Sequence, residues 1–256
     1  GTESNVNKQS NYSLSFDGTN YIDLGTGLKS TFDGATAFTI SAWFKYDTAN
    51  PNYSTIIQQE YTVTGDNYLA TVRLTNTSTP QISNRNVTLT DTTALNSGQW
   101  YHIASVFDGS SQTLTMYIDG TQVTQNTSAG SSMLTSASGS KCIIGANANN
   151  DRFLDGQIDG VAIFDYALSS SQITTLYGSS STGIGNPMSL NPKPVAFYPL
   201  GDQDSFNGSN YLVPNSSLKD YVFDFDGTDD LVTISNESNF DFDRTDSFSI
   251  SCWFKC

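Results

Sequence analysis

The sequence predicts an all-β domain followed by the beginning of a second copy of that domain. Charged residues make up only 14% of the chain and aromatic residues 12%, a balance that suits strands and their turns. The stretch FTISAWFKY, at 38–46, alternates with a period of two residues, as a half-buried strand does. The final stretch FSISCWFKC, at 248–256, repeats it closely, which predicts that a second copy begins before the chain ends.

Strand and turn signals follow one another along the first copy. Residues 12–25 predict a strand, an Asp-Gly turn and a short second strand. After the strand at 38–46, the segments STIIQQ, YLATVRL and QISNRNVTL continue the meander. Within 98–123, WYHIASVF and TLTMYID are strands, and Asp119-Gly120 is a hairpin signal of the primed-turn type. KCIIGA and GQIDGVAIFD complete the β part.

One helix is predicted over 168–177, LSSSQITTLY. Ser169 and Gln172 have the spacing of a capping box at its start. The apolar side of this helix is formed by Leu168, Ile173, Leu176 and Tyr177. The Gly-, Ser- and Pro-rich stretch that follows has almost nothing to bury, which indicates a linker.

The repeated phrases set the predicted domain boundaries. Phe225 lies 209 positions after Phe16, and Trp253 lies 210 positions after Trp43. Two groups that recur at nearly one offset indicate an internal repeat. The predicted regions are an N-terminal segment at 1–11, a first domain at 12–178, a linker at 179–194 and the N-terminal part of a second domain at 195–256.

Five phrases of the first copy resemble the laminin G-like, concanavalin A-like lectin/glucanase superfamily: SFDGTNYIDLG, FTISAWFK, GQWYHIASVFDG, LTMYIDGTQV and GQIDGVAIFDYALSSSQITTLY. VAFYPLGD, FDFDGTDDLV and FSISCWFK resemble the start of another such domain. The resemblance implies an antiparallel two-sheet jelly-roll sandwich with loops gathered at the rims. Nothing before Tyr12 resembles VAFYPL, so the opening strand of the first copy is either missing or supplied by other residues. Because this fold hosts lectins, glycanases, adhesive modules and spacers, the function depends on the site.

The alternation of each strand assigns one set of side chains to the inner faces of the sandwich. The predicted core contains Phe16, Ile40, Ala42, Phe44, Ile103, Leu114, Met116, Ile118, Ile144 and Ile163.

The sequence predicts a protein that is not an enzyme. Glycanases of this superfamily carry paired carboxylates on one strand, in an arrangement like Glu-x-Asp-x-x-Glu, because one group protonates the leaving oxygen while the other attacks or activates water. No such run occurs in this sequence, where Glu3, Glu60 and Glu237 each lack a carboxylate close by along the chain. The only histidine, His102, comes with no indicated nucleophile, so it is interpreted as a structural strand residue.

Calcium is the cofactor that the acidic residues suggest, because it takes about six to eight oxygen ligands from carboxylates and loop carbonyls. Relatives often hold an ion where an early Asp-Gly turn meets the final long strand, so the resemblance implies Asp17 and Asp159 as metal ligands. The loop NANNDRFLDGQID, at 147–159, adds Asp151 and Asp155. The alternative is that Asp17 and Asp155 only precede glycines in turns.

Aromatic residues suggest where a glycan would bind. Trp43 lies on the strand face opposite the apolar residues, where an exposed indole would offer a platform for a sugar ring. We favour the alternative that the second sheet or a loop covers Trp43, because this residue belongs to the family's fold pattern. A glycan site is then expected in the rim loops, with Tyr53, Tyr61, Asn67 and Tyr68 as ligand-binding residues.

Net charge and hydropathy limit the classes of partner that the sequence predicts. A net charge of -14 argues against nucleic acid, and no apolar run approaches the length of a membrane span. Two interpretations remain: a non-catalytic module at an extracellular or virion surface that binds glycans or surfaces, and a structural repeat of a fibre, filament or virion decoration protein. A glycan hydrolase is a weaker third alternative. Residues 221–256 supply too few strands for a sandwich, so they are expected to pack in a protein assembly.

Overall fold

The computed structural model is built of two antiparallel sheets. It describes residues 13–62, 67–179 and 184–200, together with the backbone of two strands at 205–206 and 211–212. The strands are β1 (Leu14–Asp17), β2 (Ile22–Asp23), β3 (Ala37–Thr48), β4 (Tyr53–Glu60), β5 (Tyr68–Thr75), β6 (Pro80–Ser83), β7 (Thr88–Thr90), β8 (Trp100–Asp108), β9 (Thr113–Ile118), β10 (Thr121–Asn126), β11 (Cys142–Ile144), β12 (Asp155–Phe164), β13 (Ala196–Tyr198), β14 (Ser205–Phe206) and β15 (Tyr211–Leu212). The helices are α1 (Lys29–Phe32) and α2 (Ser170–Tyr177), and a 3₁₀ turn covers Pro187–Ser189. The four-residue α1 is too short to show the periodicity that predicts a helix from sequence.

The strand order is that of a sandwich with crossovers between the sheets. The larger sheet runs β10-β9-β8-β3-β12-β13-β14-β15, and the smaller sheet runs β2-β11-β4-β5-β6-β7. β1 and β13 share one edge of β12, where β1 pairs with residues 155–158 and β13 pairs with residues 161–163. The other edge of β12 pairs with β3. The predicted all-β, two-sheet antiparallel architecture is confirmed.

The main core lies between the facing sheets, where the alternation of the strands predicted it. Nine of the predicted core residues are at most 2% exposed, and Ile118, at the end of β9, is half-buried against the same cluster. The inner faces carry almost continuous apolar surface because every second residue of the central strands points inward. The predicted core is therefore confirmed.

A second apolar cluster covers the outer face of the larger sheet. Ile173 and Leu176 of α2 are buried there. They belong to a cluster with Ala104, Val106, Tyr117, Ala162, Phe164, Leu168 and Phe197. At the start of α2, the Ser169 hydroxyl accepts a hydrogen bond from the backbone N–H of Gln172, whose side chain accepts one from the Ser169 N–H. The predicted helix and its capping box are confirmed.

Trp43 is covered by α2. The indole is half-buried, and its ring stacks on Tyr177 with 5.6 Å between ring centroids and 16° between ring planes. The expectation that Trp43 is covered holds, although the covering element is a helix rather than the second sheet or a loop.

The hairpin between β9 and β10 has the predicted turn. Asp119 and Gly120 both have positive φ, at 49° and 75°, as a type I′ turn requires.

Strand β13 lies in the first sandwich, although the sequence predicts that residues 195–256 belong to a second domain. Ala196 and Tyr198 are buried in the main core, and Phe197 is buried in the outer cluster. A strand that is apolar on both faces fits this position because the sheet is covered on both sides. The opening strand that the first copy lacks is thus supplied by other residues, one of the two options that the sequence left open.

The repeated phrases at 221–234 and 248–256, with Trp253, lie outside the described residues. The same holds for the predicted protein assembly through residues 221–256. The division into segments 1–11, 12–178, 179–194 and 195–256 stays a prediction. Within the described part of the chain, no helix combines the length and apolarity needed to cross a membrane.

Candidate functional site

Polar side chains line the outer face of the smaller sheet. Directly paired residues of antiparallel strands lie on the same side of a sheet, so the register identifies this face. Gln58 pairs with Thr71, while Arg73 pairs with both Thr55 and Gln81. We call this outer surface of β4 to β7 the polar face. It contains Tyr53, Thr55, Gln58, Glu60, Tyr68, Thr71, Arg73, Gln81, Ser83, Thr88 and Thr90.

Two β-bulges keep the polar face separate from the core. The register between β4 and β5 shifts at Ile56 and again at Leu69. At each bulge two successive apolar residues enter the core, Ile56 with Ile57 and Leu69 with Ala70. The polar residues on both sides of a bulge then share the outer face, which strict alternation would not allow.

Arg73 lies between two tyrosines on this face. Its guanidinium carbon is 3.9 Å from the centroid of the Tyr53 ring and 4.9 Å from that of Tyr68. The guanidinium of Arg152 also approaches Tyr53, at 4.7 Å from the ring centroid. A guanidinium within about 6 Å of an aromatic ring is attracted by the negative charge of its face. Both tyrosines are half-buried, and the cluster therefore places two guanidinium groups against aromatic rings.

A row of hydrogen bonds fixes the Arg73 side chain. Its Nε donates to Gln81 Oε1 at 2.7 Å, and Gln81 Nε2 donates to Thr90 Oγ1 at 2.8 Å. Arg73 Nη2 also lies 3.4 Å from the Tyr68 hydroxyl oxygen, to which it donates. Arg73 is only 5% exposed, so its guanidinium is held in one orientation at the base of the face.

Two polar side chains of the same face lack partners. The amide of Gln58 and the hydroxyl of Thr55 are fully buried, and neither has a hydrogen-bond partner among the described residues. A buried polar group without a partner costs about 1–3 kcal/mol. These groups would therefore gain from a hydrogen-bond partner.

Lys141 bonds to two carboxylates of this sheet, Asp23 of β2 and Glu60 of β4. Its Nζ is 2.6 Å from Asp23 Oδ2, and its backbone N–H donates to Glu60 Oε2 at 2.9 Å. The hydrogen bond from Lys141 is the main cause that lowers the pKa of Asp23, whereas burial raises the pKa of Glu60. Lys141 thus compensates the charge of Asp23, while Glu60 lies directly opposite Tyr68 on the neighbouring strand β5.

The structure brings two of the four predicted ligand-binding residues together. Tyr53 and Tyr68 both contact Arg73. Tyr61 and Asn67 lie at the rim, where the Tyr61 N–H donates to the Asn67 carbonyl at 2.9 Å and Arg85 lies 4.8 Å from the Tyr61 ring centroid. The role of all four in binding stays a prediction.

Sequence reasoning missed Arg73, Arg152 and Gln58. A signal was available for the first, because Thr71 and Arg73 interrupt an otherwise apolar strand in YLATVRL with the spacing of one strand face. Arg152 comes from the loop before β12 and could not be placed without the fold. Gln58 could not be assigned to a face because the bulge at Ile56 reverses the alternation.

The four predicted metal ligands do not form one centre. Asp17 lies opposite Asp155 in the β1–β12 pairing, while Asp151 is exposed and accepts a hydrogen bond from Asn147 Nδ2. Asp159 is buried four residues further along β12, about 13 Å from Asp155 at the usual rise of a strand. Among residues 13–62, 67–179 and 184–200, no group of three or more His, Cys, Asp or Glu side chains could hold a metal ion.

The Asp17 side chain stabilises the turn that follows β1. Its carboxylate accepts hydrogen bonds from the Thr19 N–H and hydroxyl and from the Asn20 N–H. These bonds, above all those from Thr19, lower the pKa of Asp17. The side chain remains exposed, and Asp17 and Asp155 are the two predicted ligands that lie directly opposite each other in a strand pairing. Calcium binding stays a prediction.

His102 and Ser41 form a buried pair on the other sheet. His102 Nε2 and Ser41 Oγ are 2.8 Å apart, and both residues line a cavity of about 30 Å³ beneath α2, together with Trp43 and Asp159. Complete burial lowers the pKa of His102 to about 3. A cavity of this size holds about two or three water molecules. This geometry supports the structural interpretation of His102.

Solved structures with the same fold include carbohydrate-binding proteins. A protein from Bacteroides ovatus proposed to bind carbohydrate is 15% identical, with a TM-score of 0.59 over 79% of this chain and 59% of that one. The CBM40 of Ruminococcus gnavus IT-sialidase, bound to α2,3 sialyllactose, is 13% identical, with a TM-score of 0.55 over 67% of this chain and all of that one. NanB sialidase from Streptococcus pneumoniae is 20% identical, with a TM-score of 0.55 over 68% of this chain and only 28% of that one. At these identities the similarity establishes the fold alone.

Curated protein sequences contain no match to this chain. The family model described as the concanavalin A-like lectin/glucanases superfamily matches residues 16–174, well over half of the chain. This match covers every strand from the end of β1 through β12 and most of α2. With its two-sheet antiparallel sandwich, the chain belongs to the concanavalin A-like lectin/glucanase superfamily.

Proposed function

We propose that this protein is a non-catalytic module that binds glycans through the polar face, at an extracellular or virion surface. One observation supports the proposal above all others: Tyr53 and Tyr68 flank Arg73 on a sheet whose Gln58 amide has no described partner. Aromatic rings stack on the apolar C–H face of a sugar, and amide and guanidinium groups bond to its hydroxyls. The polar face offers both kinds of group within a few strands.

The comparisons support this proposal by analogy. The Ruminococcus gnavus CBM40 is bound to α2,3 sialyllactose, and the Bacteroides ovatus protein is described as one proposed to bind carbohydrate. NanB is a sialidase, yet the chain spans only 28% of it, so its whole activity does not come with the matched part. The non-catalytic role rests on the sequence, which lacks the paired carboxylates of the family's glycanases.

A glycan array probed with the full chain tests this function. We expect binding to a subset of glycans, and we expect Tyr53→Ala and Tyr68→Ala each to weaken it by about tenfold, because a lost aromatic contact removes on the order of 1 kcal/mol or more. Tyr21→Ala is the matched control, since Tyr21 is 41% exposed but lies outside the polar face. Equal loss in all three variants, or full binding by Y53A and Y68A, would contradict the assignment of the site.

A structural repeat remains the second candidate. The near-identical phrases FTISAWFKY and FSISCWFKC favour it, because a repeated sandwich suits a fibre, filament or virion decoration protein. The same array, run with and without calcium, separates the two functions. Binding supports the module, whereas silence on the array together with strong self-assembly supports the repeat. Hydrolysis of an array glycan would favour the third candidate, a glycan hydrolase.

Calcium remains part of the proposal, with Asp17 and Asp155 as its ligands. An ion bound only by the folded state stabilises that state by mass action. We therefore expect a chelator to lower the melting temperature of the full chain, and Asp155→Asn to remove the difference between chelated and calcium-loaded protein. Asp108→Asn is the control, since Asp108 closes a local turn with Ser110 and Ser111. Identical melting curves with and without chelator would refute calcium binding.

A further inference from the structure

Residues 184–200, which we call the closing segment, fill the part of the β12 edge that β1 leaves open. β1 pairs with β12 only at residues 155–158, whereas β13, near the end of the closing segment, pairs with residues 161–163. The Val195 N–H also donates to the Ile163 carbonyl oxygen at 2.8 Å. The other edge of β12 is paired with β3 from residue 155 to residue 164. β12 is therefore held in the sheet by contacts that do not involve the closing segment.

The closing segment is apolar where it meets the larger sheet, on both faces of that sheet. Ala196 and Tyr198 are buried in the main core, and Phe197, which is 6% exposed, is buried in the outer cluster. Met188 and Leu190 pack against the same outer cluster. Removal of the closing segment would expose apolar surface on both faces and an unpaired strand edge, so this edge requires an occupant.

Other contacts make the edge specific for the sequence of the closing segment. The Tyr166 hydroxyl donates to the Pro192 carbonyl oxygen, and the Gly185 N–H donates to the Leu176 carbonyl oxygen at 3.0 Å. Gly185 lies so close to α2 that a Cβ atom there would be 1.9 Å from the Thr175 carbonyl oxygen. A strand of unrelated sequence would not reproduce these contacts, so the partner that fits the site is the closing segment itself.

A short run of sequence joins the closing segment to the residues after α2. This run, SSTG at 180–183, contains no large side chain. A second copy of the chain carries the same closing segment, which can make the same contacts with the β12 edge. Exchange of an identical element between copies is a low-cost route to oligomers.

From these contacts we propose that the closing segment is exchangeable: it completes the sandwich of its own chain or that of a second copy. The β12 edge at residues 161–163 is then a strand-accepting site whose partner is residues 184–200 of another copy. Exchange would join copies through a strand of the sandwich, which gives the second candidate function, a structural repeat, a defined interface. The proposal does not depend on glycan binding, because it involves the larger sheet rather than the polar face.

A peptide of residues 184–200 tests whether the β12 edge accepts the segment from outside its own chain. Phe197→Ala in the full chain weakens the tethered segment, and its melting temperature should be about 10 °C lower because a buried ring is lost. The wild-type peptide at about 1 mM, close to the effective concentration of a tethered segment, should restore most of this loss. The same peptide with Phe197→Asp is the control and should restore none. If the Phe197→Ala chain does not fold alone, refolding with the wild-type peptide should recover a cooperative transition that the control peptide does not recover.

Co-refolding tests exchange between copies. Isotopically labelled and unlabelled full chains are refolded together at high protein concentration, and the products are separated by size and weighed by native mass spectrometry. We expect mixed dimers that do not appear when the two preparations are refolded apart and then combined. Phe197→Asp should prevent these dimers, whereas Val123→Asp, which places the same charge on the 38% exposed side chain of edge strand β10, should leave them unchanged.

The results distinguish the steps of the proposal. Failure of the wild-type peptide to stabilise or refold the Phe197→Ala chain would overturn the strand-accepting site. Stabilisation by the peptide without mixed dimers would overturn exchange between copies. Mixed dimers that persisted in Phe197→Asp, or disappeared in Val123→Asp, would assign the interface to another part of the chain and overturn the proposal. None of these results affects the glycan array, so glycan binding and strand exchange fail separately.

Discussion

Phe44→Asp should prevent the protein from folding. Phe44 is fully buried in β3, a central strand of the larger sheet, where it pairs with Tyr101 of β8 and Ile158 of β12. Its ring centroid lies 6.1 Å from that of Tyr101. Removing such a ring costs about 3–5 kcal/mol, and burying an unpaired carboxylate adds several more. The sum is comparable to the whole stability of a typical domain, about 5–15 kcal/mol.

The stability of Phe44→Asp is measured by thermal or urea unfolding of the full chain and compared with that of two other variants. Phe44→Ala removes the ring without adding a charge, so a folded but weaker protein is expected. Val123→Asp introduces the same charge on the edge strand β10, where the side chain is 38% exposed, and it should change the free energy of unfolding little. A soluble F44D protein with a cooperative transition near that of the wild type would show that the assigned core face of β3 is wrong.

The sequence predicts the parts of this fold that depend on local pattern. Phe44 and Ile40 are identified as core residues by alternation alone, and α2 by the Ser169–Gln172 capping box, because these signals lie within one element. The position of β13 could not be predicted in this way. The pattern of VAFYPL predicts a strand but not its partner. The strand pairs with the open edge of β12, and that edge exists only in the assembled sheet.

The candidate site shows the same limit more strongly. Tyr53 and Tyr68 were predicted as ligand-binding residues of rim loops, yet they lie at the starts of β4 and β5 and meet around Arg73. Their meeting depends on the bulges at Ile56 and Leu69, since each bulge decides which later residues of the strand face outward. A single sequence does not mark a bulge. The placement of the predicted metal ligands has a related explanation, since Asp155 and Asp159 share a face of β12 but are separated along it.

Acid should destabilise the protein through His102 well before general acid denaturation begins. This imidazole is buried beneath α2, with Nε2 bonded to Ser41 and Nδ1 without a partner among the described residues. Burial lowers its pKa from 6.5 to about 3, because the charged form would lose its hydration. The unfolded chain therefore binds a proton between these two pH values, while the folded protein does not.

The sign follows from this difference in proton binding. Where the unfolded state binds more protons, the free energy of unfolding falls as the pH falls. The contribution of His102 is fully present above pH 6.5, declines through the range below it, and is lost once the pH reaches the folded pKa of about 3. One pKa unit corresponds to about 1.4 kcal/mol, so roughly 2 kcal/mol should be lost between pH 7 and pH 5.

Other ionisable groups lie around His102. Asp119 Oδ1 accepts the backbone N–H of His102, and burial raises the pKa of Asp119, which has the opposite effect on stability at acid pH. Asp159 lines the same cavity, and Tyr177 packs 6.2 Å from the imidazole between ring centroids. Comparison with a variant that keeps these neighbours isolates the histidine.

The free energy of unfolding of the wild type and of His102→Gln is measured with urea at pH 7, 6 and 5. Glutamine keeps a polar group near Ser41 but cannot take up a proton, so H102Q should be less stable at pH 7 and lose little more by pH 5. The decisive quantity is the difference in pH dependence, which is independent of how far the substitution itself destabilises the fold. If both proteins lost the same free energy of unfolding between pH 7 and pH 5, the loss would belong to other groups, and His102 would have to be accessible to protons in the folded state.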